Sequence, residues 1–250
     1  MAVSKSVWPN GCLGAVSLTF DDGMASQLKI AVPLLERYGF RGTFYLNPSG
    51  DDWLERLAPW KRVAEAGHEI GNHTLSHICS SNFSLDPNSR GTESMSLEDI
   101  EADIVEAERR LKIAFPIQKR RSFCYPCYEA FVGRGETKRS YVPIVARHFI
   151  AGRGKGEIAN SPANCDLHYL WSWPVERSSG AKLVGLAEQV TEGRWGIMTF
   201  HGIHEGHLPV ADVDLKELLE FLSRNRGRIW VAPVAEVAQR ILDWRADMSP

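Results

Sequence analysis

Along almost the whole chain, short apolar stretches of strand character alternate with amphipathic helical ones, and that alternation limits the fold more than any other feature of the sequence. Residues 15–20 (AVSLTF) read as a buried strand, and residues 26–38 carry helical periodicity that Gly39 stops. Residues 42–46 (GTFYL) give a second strand. Residues 53–66 are helical with a break at Pro59 and an end at Gly67, and residues 68–72 form a third short strand. In SLEDIEADIVEAERRLK, Ser96 takes the N-cap position and Asp99 the capping-box position, and Leu97, Ile100, Ile104, Ala107 and Leu111 form one apolar stripe. Strand patterns follow at 121–124, 144–150 and 196–200, then a helix at 213–224, a strand at 229–231 and a helix from Pro233 to about Trp244. Such an α/β pattern allows a (β/α) barrel or an open doubly wound sheet, and both carry function at the C-terminal ends of the strands. Neither G-x-G-x-x-G after the first strand nor G-x-x-x-x-G-K-[ST] is present, so the nucleotide-binding form of the open sheet lacks its signature and the barrel is expected.

At 250 residues and 44% hydrophobic content, with no linker, repeat or low-complexity tract, the chain reads as a single domain spanning 1–250. Lys and Arg total 29 against 31 for Asp and Glu, a net charge of -2 that makes no electrostatic case for nucleic acid or an anionic membrane. The N-terminal stretch has no uninterrupted apolar segment, and no run of about 18 apolar residues occurs. The expected location is therefore cytoplasmic, although a trimmed piece of a secreted protein would read the same. The sequence does not fix an oligomeric state. The five cysteines, Cys12, Cys79, Cys124, Cys127 and Cys165, are odd in number and scattered, so reduced thiols are expected. Cys124-Tyr-Pro-Cys127 has redox spacing but sits in loop-like sequence rather than opening a helix.

Four strand patterns are followed at once by polar sets: Asp21-Asp22-Gly23, His73 with His77, the stretch CYPCY, and His201. Parallel strands would bring all four to one rim. Adjacent carboxylates in a buried place repel each other and need a cation or separate roles; the alternative is a turn in which Asp22 caps the next helix. Two neutral imidazoles and a carboxylate make a ligand set for zinc or a similar divalent ion, with positions left open for water and substrate. A second carboxylate beside such an ion, free to accept a proton, is equipment for hydrolysing an amide or ester.

These residues resemble the polysaccharide deacetylases of the NodB-homology, carbohydrate esterase family 4 type. T-F-D-D-G matches residues 19–23, H-[ST]-x-x-H matches residues 73–77, and the late strand-then-histidine motif matches Thr199, Phe200, His201 and Gly202. The resemblance runs from about Ala15 to the C-terminal helix. It implies a distorted (β/α) barrel with one divalent metal, zinc first and cobalt, nickel or manganese as alternatives. It makes Asp21 the general base, Asp22, His73 and His77 the metal ligands, and His201 the general acid. The reaction implied is removal of an N- or O-acetyl group from a carbohydrate.

Two departures stand out. The family's third motif, F-R-P-P-[YW]-G, aligns here with Phe123, Cys124, Tyr125, Pro126, Cys127 and Tyr128, so Cys124 stands where an arginine that helps hold the base is usual. The family's Asp-rich partner motif ending in D-W has no counterpart; LHYLWSWPVE offers Trp171 and Trp173 without a carboxylate until Glu176. Arg120 or Arg121 is the nearest replacement in sequence. Tyr125, Pro126, Cys127 and Tyr128 are expected at the substrate, with a backbone N–H near Cys127 or Tyr128 facing the oxyanion. Trp171 and Trp173 are expected either to stack on sugar rings or to pack in the core. His68 reads as a structural histidine, His204 and His207 as residues of a solvated loop, and His148 has no assigned role. Competing readings are a hydrolase of a small cyclic amide or imide on the same site, and a barrel that binds carbohydrate without catalysis.

Overall fold

Strand β1 (Gly14–Asp21) lies near the middle of the sheet, and its alternation creates the two environments that the other elements share. Val16, Leu18 and Phe20 join an apolar layer packed against helices, whereas Ser17, Thr19 and Asp21 make polar contacts inside the curl of the sheet. The computed structural model describes residues 6–86 and 88–248. After β1, a π-helical stretch at Gln27–Ala31 leads into helix α1 (Val32–Arg37), then come β2 (Thr43–Leu46), α2 (Trp53–Leu57), α3 (Trp60–Glu65) and β3 (Glu69–Asn72). Helix α4 (Leu97–Ala114) precedes β4 (Ser122–Cys124), a small antiparallel pair β5 (Phe131–Val132) and β6 (Arg139–Ser140), and α5 (Val142–His148). The remainder is β7 (Ala151–Arg153), β8 (Trp173–Pro174), α6 (Gly180–Glu188), β9 (Trp195–Phe200), α7 (Asp212–Arg224), β10 (Ile229–Val231) and α8 (Val234–Met248).

All pairings of the main sheet are parallel, in the order β7-β4-β3-β2-β1-β9-β8, with β10 beside the start of β1. Strands β7 and β8 do not pair directly. Leu170 forms a bridge to Arg153, and the amides of Gly154 and Gly156 donate to the carbonyls of Leu170 and Ser172 at 2.8 and 3.1 Å. The stretch 170–174 thus spans the gap, and the sheet curls into the distorted (β/α) barrel expected from the sequence. Gly71 is required by the closeness of this curl: a Cβ there would lie 2.3 Å from the Tyr45 ring.

Helix α4 begins as its sequence predicts. Ser96 Oγ accepts the Asp99 amide at 3.1 Å while the Asp99 carboxylate accepts the Ser96 amide at 2.8 Å. One element differs from expectation: the apolar run at 144–150 belongs to helix α5, and the strand comes after it as β7. A short apolar run fits a buried strand or a buried helix equally well, and Pro143 in the first turn preorganises the helical start. Among the described residues no helix is long and apolar enough to cross a membrane.

At the opposite end of the interior from the polar rim, the buried Glu69 carboxylate joins three strands to α8. Its Oε1 accepts the Ser122 amide (2.7 Å) and hydroxyl (2.8 Å), and its Oε2 accepts the Thr43 hydroxyl and the Ala235 amide, both at 2.9 Å. Each oxygen accepts one backbone amide, which can only donate, so an amide nitrogen in place of either oxygen would set donor against donor. Glu69→Gln is therefore expected to cost about 2–3 kcal/mol, a melting temperature lower by roughly 5–10 °C. A thermal melt unchanged within error would show that the carboxylate is not the tie described.

Candidate active site

Parallel strands deliver five polar side chains to one rim. Asp21 ends β1, His73 follows β3, Cys124 ends β4, Arg153 ends β7 and His201 follows β9. Asp21, His73 and His201, with Asp22 and His77, form the floor of an open cavity of about 350 Å³, and Cys124 and Arg153 are buried outside its lining. Its walls carry Tyr125, Cys127 and Tyr128 from the third motif, with Phe83, Lys155, His207 and Leu208 toward the mouth.

Asp22, His73 and His77 converge on a single point. The Asp22 Oδ1 atom lies 3.5 Å from His73 Nε2 and 3.3 Å from His77 Nε2. The His73 Nδ1 atom is 2.9 Å from the Cys124 carbonyl, which can only accept, so Nδ1 carries the proton and Nε2 presents its lone pair. A buried lone pair thus faces a carboxylate oxygen, an arrangement that calls for a cation between them. Three donors each about 2.1 Å from one ion stand about 3.4 Å apart in tetrahedral geometry. The residues present therefore fit a divalent metal. Burial works against the Asp22 carboxylate, but with no cation between them protonated His73 and His77 rings would hold it well below the usual carboxylate range; burial also opposes the charged form of His77, and Asp22 would raise it.

The segment carrying the two histidines is a loop, not a helix. Thr74 and His77 have φ of 62 and 50°, a region costly for residues other than glycine. Side chains fix the loop: the Thr74 amide donates to Asn72 Oδ1, the His77 amide to Thr74 Oγ1, and the Leu75 and Ser76 amides to Asp103 of α4. The Asn47 amide donates to the carbonyls of His73 and Thr74.

Asp21 has an arginine partner after all, supplied by β7. Arg153 Nη2 donates to Asp21 Oδ1 at 2.7 Å and to Oδ2 at 2.5 Å, while Nη1 donates to Thr199 Oγ1 at 2.6 Å and Ser172 Oγ at 3.2 Å. The guanidinium lies 5.1 Å from the Tyr45 ring centroid and 5.7 Å from that of Tyr128. Burial opposes its charge, yet Asp21 raises its pKa beyond that of a free guanidinium. The neighbouring Cys124 thiol is pushed well up by burial and remains neutral. The expectation of an Asp21 without an arginine is thereby corrected, and neither nearby arginine takes the role. Arg121 is committed to Glu108 at 3.0 Å and to the carbonyls of Leu111 and Phe115. The sequence pattern hides Arg153 because the apolar run at 144–150 that reads as its strand is helix α5, and β7 follows it.

His201 Nε2 lies 3.9 Å from Asp21 Oδ2, and its buried Nδ1 has no partner among the described residues. Burial lowers its pKa, with Asp21 and Asp22 pulling the other way. Gln27, in the π-helical turn, donates to the carbonyls of Asp21 (2.5 Å) and His201 (3.1 Å) and so ties the ends of β1 and β9. On the third-motif turn, Tyr125, Cys127 and Tyr128 line the cavity, and Pro126 is buried outside its lining. Cys79 and Cys127 form a disulfide, with Cα atoms 5.7 Å apart, which corrects the expectation of reduced thiols. It joins the His77 loop to the third-motif turn, where Cys127 and Tyr128 have φ of 51 and 61°.

The two tryptophans lie away from this cavity. Trp173 is core, packed on Gly196 with its indole N–H donating to the Glu157 carbonyl, and Trp171 is exposed in a separate cleft with Tyr169 and Arg194. His68 is buried and accepts the Gly42 amide; His148 is at the surface beside Glu101, and exposed His204 pairs with Asp212.

The family model described as polysaccharide deacetylase matches residues 11–130. A gellan lyase from a Bacillus species is 23% identical over 265 residues, covering 94% of this chain and 10% of that protein. A chitin deacetylase from Arthroderma benhamiae is 32% identical over 99 residues, 38% of this chain and 26% of its own length. The chain therefore spans only a tenth to a quarter of these relatives. Among solved structures, a family 4 acetyl xylan esterase from Clostridium thermocellum, in complex with a cobalt ion, superposes with a TM-score of 0.54 at 20% identity, over 90% of both chains.

Two outcomes test this geometry. Arg153→Leu should destabilise the fold by about 3–5 kcal/mol, because it strands the buried Asp21 charge, and adding Asp21→Asn should restore much of that loss in urea titrations; simple additivity would show the two side chains uncoupled. Denatured without reductant, the protein should expose three titratable thiols, Cys12, Cys124 and Cys165, rather than all five. Five thiols before reduction would rule out the disulfide.

Proposed function

Because the chain carries a polysaccharide deacetylase domain, we propose that it is a metal-dependent hydrolase that removes N- or O-acetyl groups from a carbohydrate. The observation that carries the reading is the meeting, on one cavity floor, of a three-donor cluster fit for a cation and a second carboxylate held by its own arginine. A divalent cation on Asp22, His73 and His77, with zinc the best match to two imidazoles and a carboxylate, would acidify a water and polarise the acetyl carbonyl. Asp21 is placed to accept the proton of the attacking water. Arg153 keeps Asp21 ionised and aimed at the cavity, and Gln27 fixes the backbone behind it. His201, protonated, delivers a proton to the departing nitrogen or oxygen. Tyr125, Cys127 and Tyr128 shape the wall against which the acetyl group and sugar are held. The described residues act together as one catalytic domain in this reading.

The curated relatives are named for chitin and gellan and the solved structure for xylan, which supports an acetylated polysaccharide over other amides and esters. A missing arginine and a cytoplasmic location would favour the competing reading, a small cyclic amide. Arg153 supplies the arginine, and the disulfide supports an oxidising compartment, where such bonds persist and polysaccharides are also found.

The test is acetate release from acetylated chitooligosaccharides, acetylated xylan and peptidoglycan fragments by chelated protein, with zinc, cobalt or nickel added back. Metal-dependent release is expected on at least one. Asp21→Asn should lower turnover by roughly 10²–10⁴-fold with metal content unchanged by elemental analysis, whereas His77→Ala should lose the metal. An active Asp21→Asn enzyme would remove Asp21 from the role of base.

A further inference from the structure

Beyond β7 the backbone runs Gly154-Lys155-Gly156, and its alternation aims one charge into the cavity. The amides of Gly154 and Gly156 donate to the carbonyls of Leu170 and Ser172, and the Ser172 hydroxyl donates to the Gly154 carbonyl at 2.6 Å. The segment is thus pinned as an extension of the strand. On one side both glycines are covered by aromatic rings: a Cβ on Gly154 would stand 2.8 Å from the Tyr169 ring, and one on Gly156 only 2.2 Å from the Trp171 indole. Neither position has room for a side chain. Lys155 projects to the other side, where it lines the catalytic cavity with its ammonium 5.8 Å from the Tyr128 ring centroid.

The charges of the cavity make this cation stand out. Arg153 neutralises Asp21, and Asp22 is taken up by His73 and His77. Lys155 enters no ion pair among the described residues and is exposed toward the mouth, beside His207. An unpaired ammonium on a rigid backbone, facing a substrate cavity, offers a charge-assisted hydrogen bond to an anionic group.

We propose that Lys155 is a specificity-determining residue that selects carbohydrates bearing a carboxylate close to the group to be deacetylated, as in an acetylated uronic-acid polymer. The inference rests on the deacetylase reading and deepens it by naming the substrate class. The carboxylate takes the ammonium at the mouth, which places the neighbouring sugar's acetyl group over the floor where Asp21 and His201 stand. Neutral sugars lack this contact and enter the same cavity without it.

The experiment measures binding and turnover side by side, using two acetylated oligosaccharides of equal length, one of neutral sugars and one containing uronic acid. Calorimetry on the wild type should give at least tenfold tighter binding of the acidic one at low salt, and 0.5 M NaCl should erode that preference. Lys155→Met should lose the preference, with the change in KM rather than kcat, and Lys155→Arg should keep most of it. Equal binding of the two, binding of neither, or a preference that survives in Lys155→Met would each overturn the proposal. Acidic preference without acetate release from either compound would leave Lys155 as assigned and overturn the deacetylase reading instead.

Discussion

The site depends on the buried ion pair between Asp21 and Arg153. The two residues come from β1 and β7, strands separated by three others on the curled sheet, and they meet across its interior with almost no solvent at either side chain. Pairs this dry are expensive to assemble, and further hydrogen bonds offset part of that cost. Thr199 of β9 and Ser172 take Nη1, and the rings of Tyr45 and Tyr128 lie within cation–π distance, while Nε is buried without a partner among the described residues. One guanidinium thereby contacts side chains from both sides of the incompletely closed sheet. It secures the carboxylate and fastens the gap where β7 and β8 fail to pair. Stability and chemistry converge on one residue.

The strain around this pair is concentrated and restrained. Asp22, Thr74, His77, Cys127 and Tyr128 all have positive φ, and each lies at the cavity or in the loop that bears its histidines. Backbone in this region relaxes unless its surroundings prevent it. Here a disulfide holds the third-motif turn to the histidine loop, while Asn47 and Asp103 take that loop's backbone groups. The covalent link acts on two of the strained turns at once. That is why a cysteine next to the third motif is informative although it contributes nothing to proton transfer.

Much of this was legible in the sequence, and the remainder was hidden for identifiable reasons. Asp21, Asp22, His73 and His201 could be found because each ends or directly follows a strand, and His77 because it stands four residues beyond His73; parallel strands bring such positions together. The capping box at Ser96 is local, so four residues suffice to specify it. Arg153 could not be found in this way. Its strand is three residues long and follows an apolar run that suits strand and helix alike, and its partner stands 132 positions earlier. The disulfide joins residues 48 apart on loops whose approach is set by tertiary structure alone. Trp171 and Trp173 show the same limit: two residues apart, one is exposed in a separate cleft and the other is sealed on Gly196, a difference that composition cannot report.

Cys124 fits the arrangement in which Arg153, from β7, holds Asp21. Its sulfur lies 2.5 Å from Arg153 Nη2 and 3.6 Å from Asp21 Oδ2, so it occupies the place through which a guanidinium from β4 would have to reach the same carboxylate. Asp21 offers one negative charge. Two guanidinium groups at that point would leave one of them buried without compensation, which costs more than the pair returns. A small neutral thiol at 124 is therefore the complement of an arginine at 153: it leaves the volume open and adds no charge. The cysteine in the third-motif stretch and the arginine that ends β7 are two halves of one arrangement, in which a single cation holds Asp21 from a different strand.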